Sequence, residues 1–146
     1  MKILSLGYLG FDTTRHEEWL NFGPQIMGLG LGHRGPDGAV YLKMDDRKYR
    51  FAFHPSKIDQ VKYIGWELQD DRAFDAAIEE LERKNVRYEL ASEALLAERC
   101  VSGMAAVIDP AGFRHEIYYS QEFWPNSFTP GRPSPASWPR NSAWAT

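Results

Sequence analysis

Apolar positions along the chain change their period several times, and each change marks an element. Residues 2 to 11 mix apolar and small side chains (Ile3, Leu4, Leu6, Tyr8, Leu9, Phe11) in a strand-like pattern. Thr14 followed by Glu17 has the spacing of a capping box, so a short helix is expected from near Arg15. That helix would carry Trp19 and Phe22 inward and stop at Gly23-Pro24, because proline cannot continue helical hydrogen bonding. "AVYLKM" (39 to 44) and "YRFAFH" (49 to 54) follow as short apolar runs separated by the polar "DDRK", which predicts a hairpin. Pro55 closes this half.

The second half repeats the order. "VKYIGWEL" (61 to 68) reads as a strand, and Asp70-Asp71 leads into "RAFDAAIEELERKN". Phe74, Ala77, Ile78 and Leu81 recur there at helical spacing, with Glu79, Glu80, Arg83 and Lys84 on the other face. "VRYEL", a helical turn in "SEALLAER", "GMAAVID", a turn at Asp109-Pro110-Ala111-Gly112, and "FRHEIYYS" complete it. Laying one half on the other at an offset of 55 residues sets Tyr8 on Tyr63, Leu9 on Ile64, Gly10 on Gly65, Phe11 on Trp66 and Trp19 on Phe74. Two βαβββ modules are implied, about 2–56 and 60–120, within one domain of residues 1–122. The expected class is α+β, with a curled, mostly antiparallel sheet around a cleft and helices outside. Gly10 and Gly65 inside strands predict a bulge or the close approach of another backbone.

Composition narrows the function classes. At 146 residues the chain is one domain with a sizeable core. Its net charge of −3 offers no footprint for nucleic acid or an anionic membrane, and no run is long enough for a membrane span. Without a recognisable signal peptide, the cytoplasm is the default address. Cys100 is the only cysteine, so an internal disulfide and a cysteine-rich metal site are both ruled out, and it reads as a buried structural thiol. Residues 123–146, rich in Pro and Trp, are expected to be extended, with Phe123, Trp124 and Phe128 docking on this domain or on a neighbouring subunit.

The paired modules, "SLGYLGF", "YIGWELQD", and above all "DPAGFRHEIYYS" (109 to 120) with "FTPGRP" (128 to 133), resemble the vicinal oxygen chelate superfamily, the glyoxalase/bleomycin resistance/dioxygenase fold. They are most similar to the N-terminal domain of type I extradiol dioxygenases, which cleave catechols such as 2,3-dihydroxybiphenyl. The resemblance implies an Fe(II) site of two histidines and one glutamate in a catalytic module, a donor set that leaves open positions for substrate. The histidine positions are occupied here by Tyr8 and Tyr63, and the glutamate by Glu116, the only retained ligand-type residue. In that family the N-terminal module has lost the metal and serves as a structural and assembly partner. The resemblance therefore implies no catalytic residue and no cofactor in this chain, with Fe(II) only if the family activity is retained.

Its expected partners are further copies of itself or a catalytic dioxygenase module, with a small aromatic ligand as a further candidate. Tyr8, Tyr63, Trp66, Glu116 and Tyr118, with Tyr119, are the candidate pocket residues, and core packing is the competing role for the rings. Glu116 could instead pair with a base such as Arg50 or Arg114. His16, His33, His54 and His115 fall at no metal-motif spacing, and His115 points away from Glu116 on a strand. An alternative from another class stays open: a metal-dependent dioxygenase or glyoxalase-like enzyme whose site is completed across a dimer.

Overall fold

A computed structural model describes residues 1–131; the part of the tail from residue 132 onward lies outside the described residues. Among the described residues, eight strands form one sheet: β1 (Ser5–Thr13), β2 (Gly30–Arg34), β3 (Val40–Lys43), β4 (Phe51–Pro55), β5 (Gln60–Leu68), β6 (Glu89–Leu90), β7 (Val101–Ile108) and β8 (Arg114–Gln121). Their order across the sheet is β2-β3-β4-β1-β5-β8-β7-β6. The order is symmetric about the β1–β5 seam. Within each module the first strand runs parallel to the last, β1 with β4 and β5 with β8, and every other ladder is antiparallel. The sheet is curled and unclosed, as the two-module reading expected.

Strand alternation divides the side chains between two faces. Tyr8, Gly10, Tyr63, Gly65, Glu116 and Tyr118 point into the curl, where Tyr41, Tyr49, Met104 and Val101 complete a buried cluster. Phe53, Leu42 and Val40 face outward in the first module, and Leu68 and Ile117 do so in the second. Helices cover those outer faces unequally. In the second module, α2 (Asp71–Arg83) lays Ala77 and Leu81 on the sheet, flanked by Phe74 and Ile78. Its N-cap Asp70 accepts a hydrogen bond from the Ala73 amide at 2.8 Å, an arrangement that stabilises a helix by about 1 kcal/mol.

The first module's helix departs from expectation. It opens as a 3-10 turn (His16–Glu18), continues as α1 (Trp19–Phe22) for only four residues, and passes through Gly23-Pro24 as a π-turn (Gly23–Met27) ending at Gly28 in the left-handed region. The capping box does not form. Thr14 Oγ1 donates to Asp59, and the Glu17 carboxylate accepts from Arg34 at 2.8 Å, so tertiary partners draw both side chains off the helix. Pro24 sits in the first turn, where its missing N–H costs nothing. Phe22, expected inward, is exposed, leaving Trp19 to face the sheet.

A third helix, α3 (Glu93–Arg99), has no counterpart in the first module. Ser92 caps it by accepting from the Leu95 amide, and Cys100 ends it at φ 55°. The Cys100 thiol is half-buried, less deep than expected, and burial pushes its pKa up. Beyond β8, Trp124 donates from Nε1 to the Lys48 carbonyl at 2.9 Å, and the Phe123 ring lies under the Arg47 guanidinium.

Candidate functional site

Tyr8 and Tyr63 hold equivalent places on the two seam strands, each opposite the other module's glycine: Tyr8 pairs with Gly65 and Tyr63 with Gly10. The next strand outward carries Ala52 beside Gly10 in the first module and Glu116 beside Gly65 in the second. The carboxylate is therefore present once, not twice. Tyr8, Tyr63, Glu116 and Tyr118 converge inside the curl, all fully or nearly fully enclosed. Trp66 does not join them. It stands on the outer face of β5, where its indole N–H donates to His115 Nδ1 at 2.9 Å, and Tyr119 packs beside Phe74 under α2.

Around Glu116 the contacts are complete. Tyr8 donates its phenolic proton to Glu116 Oε2 at 2.8 Å, Arg99 Nε donates to the same oxygen at 2.9 Å, and Arg114 Nε donates to Oε1 at 3.0 Å. Arg50, a partner weighed from the sequence, goes instead to Asp45 and the Gly7 carbonyl. Arg99 arrives from the C-terminus of α3, only 4% exposed, and lays its guanidinium 3.7 Å from the centre of the Tyr63 ring. Burial alone would lower its pKa; Tyr63 and Glu116 outweigh that, and the net shift is upward. A fixed cation thus stands among the three positions of interest.

Tyr63 has a second tether. His54 on β4 holds Asp37 at 2.7 Å through Nδ1 and the Tyr63 hydroxyl at 2.8 Å through Nε2. With a carboxylate at Nδ1, that nitrogen carries the proton and Nε2 accepts from the phenol. Burial lowers the His54 pKa, against the opposing pull of Asp37. Tyr8, Tyr49 and Tyr63 all have phenol pKa values pushed well up, first by burial; for Tyr8 the Glu116 charge adds to it. The interior is a network of neutral phenols around the buried Arg99–Glu116 ion pair. No hydroxyl in it is poised to ionise and attack, since each phenol is raised in pKa.

As a seat for Fe(II) this donor set is poor. Phenols held neutral are weak ligands, both oxygens of the one carboxylate are engaged by arginines, and an internal guanidinium repels a second cation. Among the described residues, no group of three or more His, Cys, Asp or Glu is placed to hold a metal, and no helix is long and apolar enough to cross a membrane.

Sequence reading missed Arg99 and the Asp37–His54 pair. A basic residue in a last helical turn ordinarily signals a favourable dipole contact, so nothing in "LLAER" announces burial. His54 had a better signal: it alternates with Ala52 on one strand, on the face that Tyr8 and Tyr63 share.

Comparison with known proteins finds relatives in both sequence and fold. A family model described as "Dihydroxybiphenyl dioxygenase BphC D1" matches residues 6–55. Biphenyl-2,3-diol 1,2-dioxygenase of Sphingomonas paucimobilis is 34% identical over 132 residues, and 1,2-dihydroxynaphthalene dioxygenase of Sphingobium xenophagum is 33% identical over 132 residues. Each alignment takes in 90% of this chain and 44% of the relative, so the chain spans less than half the length of these curated relatives. The crystal structure of BphC, a halotolerant catechol dioxygenase, superposes with a TM-score of 0.83 at 39% identity, over 90% of this chain and 44% of that one. A catechol 2,3-dioxygenase superposes at 0.86 with 34% identity, over 92% and 48%.

Proposed function

We propose that this chain, similar in sequence and fold to the extradiol dioxygenases of vicinal oxygen chelate type over less than half of their length, is a non-catalytic, N-terminal-like domain of that family: a structural and assembly component that binds no iron itself. The observation that carries this reading is Arg99, whose guanidinium pairs with Glu116 and covers Tyr63. An internal side-chain cation supplies the positive charge that the carboxylate needs in a buried site, and supplies it permanently. Its partners on this reading are further copies of the chain or a catalytic dioxygenase module.

A site completed across a dimer is less well supported. A neighbouring subunit would have to reach Glu116, and that side chain is wholly enclosed.

Iron loading tests the proposal. The purified protein is exposed to Fe(II) without oxygen, freed of unbound metal, and offered 2,3-dihydroxybiphenyl in air. The expected result is substoichiometric iron, no yellow ring-opened product, and a defined oligomer in sedimentation. Stoichiometric iron with turnover that vanishes in Glu116→Ala would overturn the non-catalytic role.

A further inference from the structure

The two modules differ most on their outer faces, and the difference leaves a cavity. In the second module, α2 spans thirteen residues and closes the sheet, with the Phe74 ring against Tyr119. Trp19 is the equivalent of Phe74, but its helical segment is broken into a 3-10 turn, α1 and a π-turn and buries only Gly23, whereas α2 buries Ala77 and Leu81. Trp19 lies flat on Phe53, with ring centres 3.8 Å apart and planes at 10°, and Phe53 lies nearly parallel to Phe11 at 5.3 Å. Beside this stack the structure holds a cavity of about 380 Å³, with Phe11, Phe51 and Phe53 as its floor and Trp19, Met27 and Leu29 as a wall. That volume lies at the low end of small-molecule sites, ~300–1,000 Å³.

The lining is almost wholly apolar, and its few polar residues lie to one side. Asp59 and Asp12 stand there with Gln60 and Thr13. Asp59 Oδ1 accepts from Thr13 Oγ1 at 2.7 Å and from the Thr14 amide at 3.0 Å, whereas Oδ2 takes only a long 3.3 Å contact from Thr14 Oγ1 and so retains acceptor capacity. Hydrogen bonds from Thr13 and Thr14 hold the Asp59 carboxyl below the usual range, so it stays anionic. Asp12 is already committed to Lys62 and Gln60.

We propose that this cavity is a binding site for a flat, one- or two-ring aromatic molecule bearing a hydrogen-bond donor. The ring would slot beside the Trp19–Phe53 stack and the donor would reach Asp59. Stacked plates favour a planar ligand over an aliphatic one, because offset aromatic pairs gain beyond their area. The Asp59 carboxylate, which no cation pairs among the described residues, disfavours an anionic ring of the same shape. This site lies on the outer face, apart from Tyr8 and Glu116, and does not depend on the non-catalytic role.

Titration with 2-naphthol, followed by amide and indole NMR shifts, tests it; 2-naphthalenesulfonate is the charge-inverted comparator. Saturable shifts confined to Phe11, Trp19, Phe51 and Phe53, with the Trp66 indole unmoved, are expected. Met27→Trp fills the cavity from a half-exposed position that folding tolerates, and should weaken 2-naphthol by roughly tenfold or more with unchanged circular dichroism. Asp59→Asn should weaken 2-naphthol and improve the sulfonate. The proposal is overturned by non-saturating shifts, by shifts centred on Tyr8 and Tyr63, by undiminished binding in Met27→Trp, by equal affinity for the sulfonate, or by a dimer that buries Trp19 and excludes 2-naphthol.

Discussion

The ring of Tyr8 lies directly over Gly65: a β-carbon at residue 65 would come within 2.4 Å of Tyr8 Cε2. Tyr63 repays the contact across the seam, covering Gly10 so that a β-carbon there would meet its Cζ at 2.2 Å. The two glycines are therefore the floor on which the two tyrosines lie, and the ladder also shifts register beside Gly10, as a bulge there would. Gly65→Ala and Gly10→Ala should each destabilise by about 1–3 kcal/mol, the usual cost of overpacking a core. Urea midpoints measure this, and the double variant Gly65→Ala/Tyr8→Leu should lose less than the sum of its parts. Strict additivity would mean that ring and methyl do not meet.

Arg99→Met should be among the costliest single changes, about 3–5 kcal/mol, because it strips a buried carboxylate of its innermost cation. The remaining Arg114 contact, less buried, keeps the loss toward the lower figure. Arg99→Met/Glu116→Leu removes both charges and should recover most of the stability. Equal loss in the single and double variants would show that the pair does not act as a unit.

Acid should destabilise the protein earlier than carboxylate titration alone would. The folded-state His54 pKa lies below the usual value of about 6.5, first because of burial, and that of His33 is lowered by burial too. Between folded and unfolded values the unfolded chain binds the proton that the folded chain refuses, so stability falls as pH drops below about 6.5. The urea midpoint should decline from pH 7.5 to pH 5.5, and His54→Asn should flatten that slope. An unchanged slope in the variant would remove His54 from the account.

At alkaline pH the sign reverses. Tyr8, Tyr41, Tyr49, Tyr63 and Tyr118 all have raised pKa values, each mainly through burial. Their contribution is complete below the unfolded phenol value of about 10 and is lost as pH rises beyond it. Phenolate absorbance from this cluster should appear together with the loss of circular dichroism, in one cooperative step. Absorbance rising fully before unfolding would show that the interior admits hydroxide or water.

Much of this was legible in the residues themselves. The 55-residue echo of "YLGF" in "YIGW" and the spacing of Phe74, Ala77, Ile78 and Leu81 are local or periodic signals, and they determined the two modules and α2, whereas grouping Trp66 and Tyr119 with Tyr8 and Tyr63 overlooked the strand alternation that sends them to the outer face. What the sequence could not decide were pairings between distant residues. Thr14 and Glu17 have capping-box spacing, yet Asp59 and Arg34 win their side chains; "LLAER" reads as a helix end, yet Arg99 turns inward to Glu116; Asp37 reaches His54 only because a turn returns it to β4. A short-range hydrogen bond and a long-range one are of similar strength, so local spacing offers the local partner while the fold decides whether a better-placed distant one is within reach. The sequence by itself determined which residues could meet, and only the tertiary structure decided that a guanidinium stands where Tyr8, Tyr63 and Glu116 come together.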